Sequence, residues 1–163
     1  MKAVDRILGE AMTPYQRRIY NNPQMAVVWS RRRKCRFPEA EPYIAKDPKS
    51  AYEYARDIIR GRWPAGEAAV AKDPRYAYEY AKDVIRGRWP EGEAAIVADT
   101  HLSYEYAGHL AYLYAKDVIR GRWPEAEEHL AYARPWITNK YISLFPEAKW
   151  EWAANGWIDW TDI

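Results

Sequence analysis

The sequence predicts an all-α fold, an α-solenoid of about six helix pairs, each a long helix then a short one, capped at both ends. Three observations predict it. A unit recurs almost verbatim, as DPKSAYEYARDIIRGRWPAGE at 47–67, DPRYAYEYAKDVIRGRWPEGE at 73–93 and AYLYAKDVIRGRWPEAE at 111–127. Within it the apolar residues recur at helical spacing. Proline and glycine stand where helices begin and end.

The best copy shows each element. Asp73-Pro74 is a helix start: the carboxylate accepts from unpaired N–H groups, and proline at the first position has no donor to leave orphaned. At about 100° per residue, Ala77, Tyr80, Ala81, Val84 and Ile85 share one arc, with Glu79, Lys82, Asp83 and Arg86 opposite. Gly87 is placed for a left-handed helix stop. After Trp89, Pro90 opens a short helix with Glu91 and Glu93 near its positive end. Two helical turns are marginal alone, so the short helix needs neighbours.

Degenerate copies flank these. The chain reads as a single domain over 1–163: degenerate pairs at 1–45, regular repeats at 46–133, and a degenerate pair with a Trp-rich cap at 134–163. Asp5 to Gly9 closes a first long helix and Thr13-Pro14 opens a short one. From Pro23 a long helix runs to Lys34, Cys35 replaces the template glycine, and Phe37-Pro38 takes the Trp-Pro corner. Phe37, Trp63 and Trp89 lie 26 residues apart, whereas Trp89 and Trp123 lie 34 apart. The extra eight residues fall in the fifth long helix and displace its stripe. Leu102, Tyr106, Leu110 and Leu113 then form a second apolar side, while Tyr104, Ala107, Ala111, Tyr114 and Val118 keep the first. Either the C-terminal segment covers that second side or it is a docking face for another protein. Arg134-Pro135 and Phe145-Pro146 mark a shortened sixth pair with Gly156 as its stop, and Trp150, Trp152, Trp157 and Trp160 suit an end cap.

The aromatics are fourteen Tyr, nine Trp and two Phe, a bias toward amphipathic rings that suits helix seams and binding faces. A single cysteine excludes an intramolecular disulfide and favours a reducing compartment. With no secretory leader and no apolar run of about 18 residues, a cytoplasmic protein with no membrane contact is expected. Net charge is +2 but uneven: residues 1–36 hold nine Lys/Arg against two Asp/Glu.

Four candidate sites emerge. Arg60, Arg62 and Trp63, with Arg86, Arg88, Trp89 and Arg120, Arg122, Trp123, could hold a phosphate or stack on a base. The structural alternative makes Phe37, Trp63, Trp89 and Trp123 repeat joints, with one Arg meeting Glu67, Glu93 or Glu127; recurrence at the scaffold's own period favours it. His101, Glu105 and His109 share a flank, but three ligands on one straight helix cannot close on one ion, so no metal and no cofactor is expected. Arg31, Arg32, Arg33, Lys34 and Arg36, supported by Arg17 and Arg18, form a basic cluster. It reads either as a contact for nucleic acid or an acidic protein surface, or as cations welcomed by a helix C-terminus. With Leu102, Tyr106, Leu110 and Leu113 it makes up the expected partner-binding set. Cys35 lies beside that arginine run, where an exposed thiol would be activated.

The pattern KDPxxAYxYA(K/R)D(V/I)IxGRWPExE covers 46–67, 72–93 and 111–127 closely, and 23–45 and 135–155 loosely. It resembles a short tandem repeat in uncharacterised proteins of tailed phages and metagenomic prokaryotes. The resemblance implies a phage or mobile-element origin and no chemistry. In layout the pairs are similar to tetratricopeptide-type solenoids, which bind partners along a concave face.

No P-loop, dinucleotide turn, Gly-x-Ser-x-Gly or His-Glu-x-x-His is present, so an enzyme is not expected. The expectation is a non-catalytic protein-binding module, a phage accessory protein in the host cytoplasm that occludes a host defence complex, as an anti-CRISPR or similar anti-defence inhibitor does. A host or phage protein complex would be its partner. The alternatives are nucleic-acid binding through the basic N-terminal third and a structural component of the virion.

Overall fold

The computed structural model describes residues 18–98 and 104–157, which are helical and turn with no strand among them. They form two compact units dividing between Ala69 and Val70.

In the first unit, helix α1 (Pro23–Arg33) starts where Asn22 accepts from the Met25 N–H at 3.0 Å, with Pro23 at the first position. A short helix α2 (Glu41–Ile44) follows, then α3 (Pro48–Tyr54), capped by Asp47 accepting from the Ser50 N–H at 2.9 Å. The α3 helix widens into a π-helical turn, Ala55–Ile59, before α4 (Pro64–Val70) begins at its proline. The core is Ala26, Val27 and Ser30 of α1 with Ala40, Ile44, Ala51, Tyr52, Tyr54, Ala55 and Trp63.

The second unit repeats the pattern. Helix α5 (Pro74–Tyr80) is capped by Asp73, which accepts from Arg75 and Tyr76, and runs into the π turn Ala81–Ile85. Helix α6 (Pro90–Ala98) follows. Helix α7 (Tyr104–Tyr114) enters the π turn Ala115–Ile119, and a 3-10 turn (Pro124–Ala126) leads into α8 (Glu127–Ala131). Helices α9 (Pro135–Leu144) and α10 (Pro146–Ala154) complete it. Gly156 turns at φ 70 as a left-handed stop, and the Trp157 N–H reaches the Trp152 carbonyl at 2.9 Å.

Two local expectations are corrected. The left-handed stop falls one residue before the repeat glycine, on Arg60 (φ 61), Arg86 (φ 61) and Arg120 (φ 57), and on Lys34 (φ 54) in the degenerate copy. The π turn causes this in the three full copies. Its extra residue lets the Arg86 N–H close on the Ala81 carbonyl at 2.7 Å, so the chain reverses early and Gly87 only shares that acceptor at 3.2 Å. The same extra residue rotates Val84 and Ile85 away from the core, and both are half-buried.

The second repeat glycine has a steric reason. A Cβ on Gly92 would stand 2.4 Å from Trp89 Cε3, and one on Gly66 would stand 2.6 Å from Trp63 Cε3. Each indole therefore lies flat on the short helix. The third Trp corner carries Ala126 instead, and there the first turn is 3-10 rather than α.

Candidate functional site

The repeated corners form the most developed polar constellation. Arg88 grips both oxygens of Glu93, Nε to Oε1 at 2.9 Å and Nη2 to Oε2 at 2.7 Å. The Trp89 N–H donates to the Tyr114 hydroxyl at 2.8 Å, and that hydroxyl donates to Glu93 Oε1 at 3.0 Å. The Phe37 corner is the same: Arg36 forks onto Glu41, the Phe37 N–H donates to Tyr54 Oη at 2.9 Å, and Tyr54 donates to Glu41 at 2.8 Å. Arg62 likewise forks onto Glu67 at 2.9 and 2.8 Å. At the Trp123 corner Glu127 takes the Arg122 fork, the Tyr141 hydroxyl at 2.9 Å and Trp152 Nε1 at 2.9 Å, and Arg122 also reaches Glu151.

Each of these tyrosines serves two corners. Its ring packs on its own pair's corner aromatic, at 5.0 Å for Tyr54–Trp63, 4.9 Å for Tyr114–Trp123 and 4.9 Å for Tyr141–Phe145. For Tyr54, Tyr114 and Tyr141 the hydroxyl closes the preceding corner. The electrostatics follow. Burial raises the Glu127 carboxyl, but bonds from Arg122, Trp152 and Tyr141 outweigh it and hold the group below its ordinary range. Burial, with the Glu41 carboxylate adding to it, pushes the Tyr54 phenol up to about 12. Tyr114 and Tyr141 shift the same way, burial being the larger cause.

Because Arg62, Arg88 and Arg122 spend their bidentate face on a glutamate, a phosphate would have to displace that glutamate. Trp63, Trp89 and Trp123 are buried, so no base can stack on them. Arg60, Arg86 and Arg120 point into solvent. The tyrosine hydroxyls, absent from the expected joints, are their central members. The signal for them is the second Tyr of AYxYA, which recurs in every full copy.

The basic cluster divides. Arg31 turns onto α3, meeting Glu53 at 3.2 Å and Asp57 at 2.6 Å, and Arg36 belongs to the Phe37 corner. Arg32, Arg33 and Lys34 are exposed with no carboxylate in ion-pair range among the described residues. Beside them Ile19, Gln24, Met25, Val28, Trp29 and Arg32 line an open cavity of about 420 Å³. Trp29 packs against Phe37, ring centroids 4.6 Å apart, and the Arg33 guanidinium lies 5.3 Å from the centre of its ring. Cys35 is exposed, and Arg17 lies outside the described residues.

On α7, Leu110 is buried, Leu113 half-buried and Tyr106 exposed. Helices α8 and α9 both pack against α7. A Cβ on Gly108 would stand 2.5 Å from Ala133 Cβ, so the end of α8 presses directly on α7 there. Leu102, His101 and the Glu105 side chain lie outside the described residues. His109 rests edge-on against Trp136 at 5.4 Å. Among the described residues no three His, Cys, Asp or Glu side chains gather as metal ligands. In the expected tail cap, Trp152 is buried, Trp150 is 67% exposed, and Trp160 lies outside the described residues.

Among the described residues no helix is long and apolar enough to cross a membrane. Comparison with family models, curated proteins and solved structures gives no match.

Proposed function

We propose that the chain is a non-catalytic helical-repeat module, its pairs stacked as a solenoid, that acts by binding a protein surface. For a small chain without catalytic motifs and with the phage origin that the resemblance implies, the partner proposed is a host defence complex that the module occludes. One observation carries the reading: Arg62, Arg88 and Arg122 are taken up by corner glutamates and the corner indoles are buried, while the outer flank of α1 carries Arg32, Arg33 and Lys34, matched by no described carboxylate, beside apolar surface. Val28 on that flank is 44% exposed. Such a flank is what a protein partner covers, with apolar area for affinity and charge for orientation. The test is retrieval of the full chain from infected host lysate, followed by phage plating on a defence-carrying host. A stoichiometric partner and restored plating are expected; neither appearing would overturn the reading.

A second reading, nucleic-acid binding, is favoured by Arg32, Arg33 and Lys34 standing together with no described carboxylate in ion-pair range. It requires affinity to fall steeply with added salt and to vanish in R32E/R33E.

A further inference from the structure

We infer that the cavity on the outer flank of α1 is a docking groove for an acidic amphipathic segment of a partner protein, which rests on the protein-binding reading and specifies its surface and ligand class. The argument begins with how α1 divides its side chains. Ala26, Val27 and Ser30 are fully buried inward. Gln24, Met25, Val28, Trp29 and Arg32 follow one another at helical spacing along the opposite flank and, with Ile19, line the open groove. Its volume of about 420 Å³ is in the range of real binding sites, about 300–1,000 Å³. With Ile19, Met25, Val28 and Trp29 in its lining, the groove suits apolar side chains from one face of a segment better than a small polar ligand.

Charge then selects the occupant. The cations of this helix that turn inward are matched by the chain's own acids: Arg31 has Glu53 and Asp57. Of the exposed cations that follow, Arg32 lines the groove and Arg33 lies over its Trp29, and neither they nor Lys34 at the helix end is matched by a described carboxylate. A helix C-terminus welcomes a cation, but its partial charge of about −0.5 cannot balance three. The complement of an apolar floor with a cationic rim is a segment with leucine-like residues on one side and carboxylates on the other.

The aromatic contacts weigh against nucleic acid as the occupant. Stacking a base needs a free ring face, and Trp29 already packs against Phe37 at 4.6 Å and the Arg33 guanidinium at 5.3 Å, so a base would compete with the chain's own partners for that ring. Val28 and Met25 offer nothing that a base or phosphate would select.

The experiment uses the full chain and a fluorescein-labelled helical peptide of about 18 residues, leucine on one face and glutamate on the rest. Anisotropy titration at moderate salt reads the affinity. Two control peptides replace glutamate by lysine or leucine by serine, and an oligo-dT strand is the third control. The glutamate–leucine peptide is expected to bind, with affinity about tenfold or more weaker for both R32E/R33E and V28D. Val28 is exposed, so V28D should keep the wild-type circular dichroism, and R32K/R33K should keep binding. Equal binding of the lysine or serine peptide, binding unchanged in V28D, or tighter binding of oligo-dT lost in R32E/R33E would each overturn the groove. Self-association removed by V28D would also overturn it, giving the surface to a second copy. If the peptide fails but V28D still retains a stoichiometric lysate partner, the groove falls and the protein-binding reading stands; if neither is seen, both fall.

Discussion

Two glycines of the same repeat answer differently to the same substitution. Gly92→Ala places a Cβ 2.4 Å from Cε3, 2.9 Å from Cζ3 and 3.2 Å from Cδ2 of Trp89, an indole only 2% exposed. Ordinary carbon contacts begin near about 3.5 Å, so the ring must retreat by on the order of 1 Å within a packed corner. That retreat strains the Trp89 N–H bond to Tyr114. Overpacking of this kind costs about 1–3 kcal/mol, and the helix preference for alanine over glycine returns up to about 1. The net expectation is a loss of about 1–2 kcal/mol. Gly87→Ala meets nothing within 4 Å, and Gly87 does not have the positive φ that would exclude a side chain. Its effect should lie within about 0.5 kcal/mol. Thermal melts by circular dichroism should place Gly92→Ala roughly 3–6 °C below Gly87→Ala, at about 2–4 °C per kcal/mol for a chain of this size. Urea melts followed by tryptophan fluorescence supply the second probe. If Gly87→Ala proves the more damaging, the steric account of the corner is wrong.

Arg86→Gly relieves a left-handed φ of 61 that glycine adopts freely, at the loss of a cation on a helix C-terminus. Urea denaturation should show a change between zero and about 1 kcal/mol of stabilisation; a clear loss would mean that the arginine makes a bond the helix end needs. Glu127→Ala takes the acceptor from the Tyr141 hydroxyl and Trp152 Nε1 and leaves Arg122 with Glu151 alone, and should cost about 2–4 kcal/mol, against less than about 0.5 for exposed Glu128→Ala in the same assay. Glu127 and Glu41 are held below their ordinary 4.5, so their contribution is whole above that value and drains away as pH falls beneath it. An acid titration of the urea midpoint should be shallower in Glu127→Ala. In alkali the sign reverses: the raised phenols favour the protonated folded form, so their contribution is whole below 10.0 and is lost as pH climbs, for Tyr54 between 10.0 and about 12. Tyrosinate absorbance at high pH should rise together with loss of helical circular dichroism, and the two should separate if those phenols are exposed.

What could be read from the sequence was what neighbours in the chain decide. The starts at Pro23, Pro48 and Pro74 follow from a capping side chain beside a proline, and the structure keeps all three. The left-handed stop at Gly156 is equally local. The π turns were not legible, since AKDVI fits an ordinary helix and one added residue leaves the apolar pattern almost intact. Consequently the pattern alone points to a stop at Gly87 rather than Arg86. The tyrosine hydroxyls were also missed, because Tyr54, Tyr114 and Tyr141 reach acceptors 13, 21 and 14 residues away, beyond any motif window. Which cations of the basic cluster stay unmatched depended on Glu53 and Asp57, 22 and 26 residues from Arg31 and on another helix. Trp150 and Trp152 look alike in composition, yet two positions along a helix separate water from the core.

The corners carry a rule for how many pairs a chain can string together. Phe37, Trp89 and Trp123 each leave a backbone N–H that a tyrosine hydroxyl from the next pair accepts, the same hydroxyl donating to the corner glutamate, so every such corner is completed by a successor. At Phe145 the pattern ends: Leu144 stands in the arginine slot and Lys149 in the glutamate slot. An inserted copy of 74–97 would be met on both sides by compatible chemistry, whereas one appended after Phe145 would find no acid to receive its tyrosine.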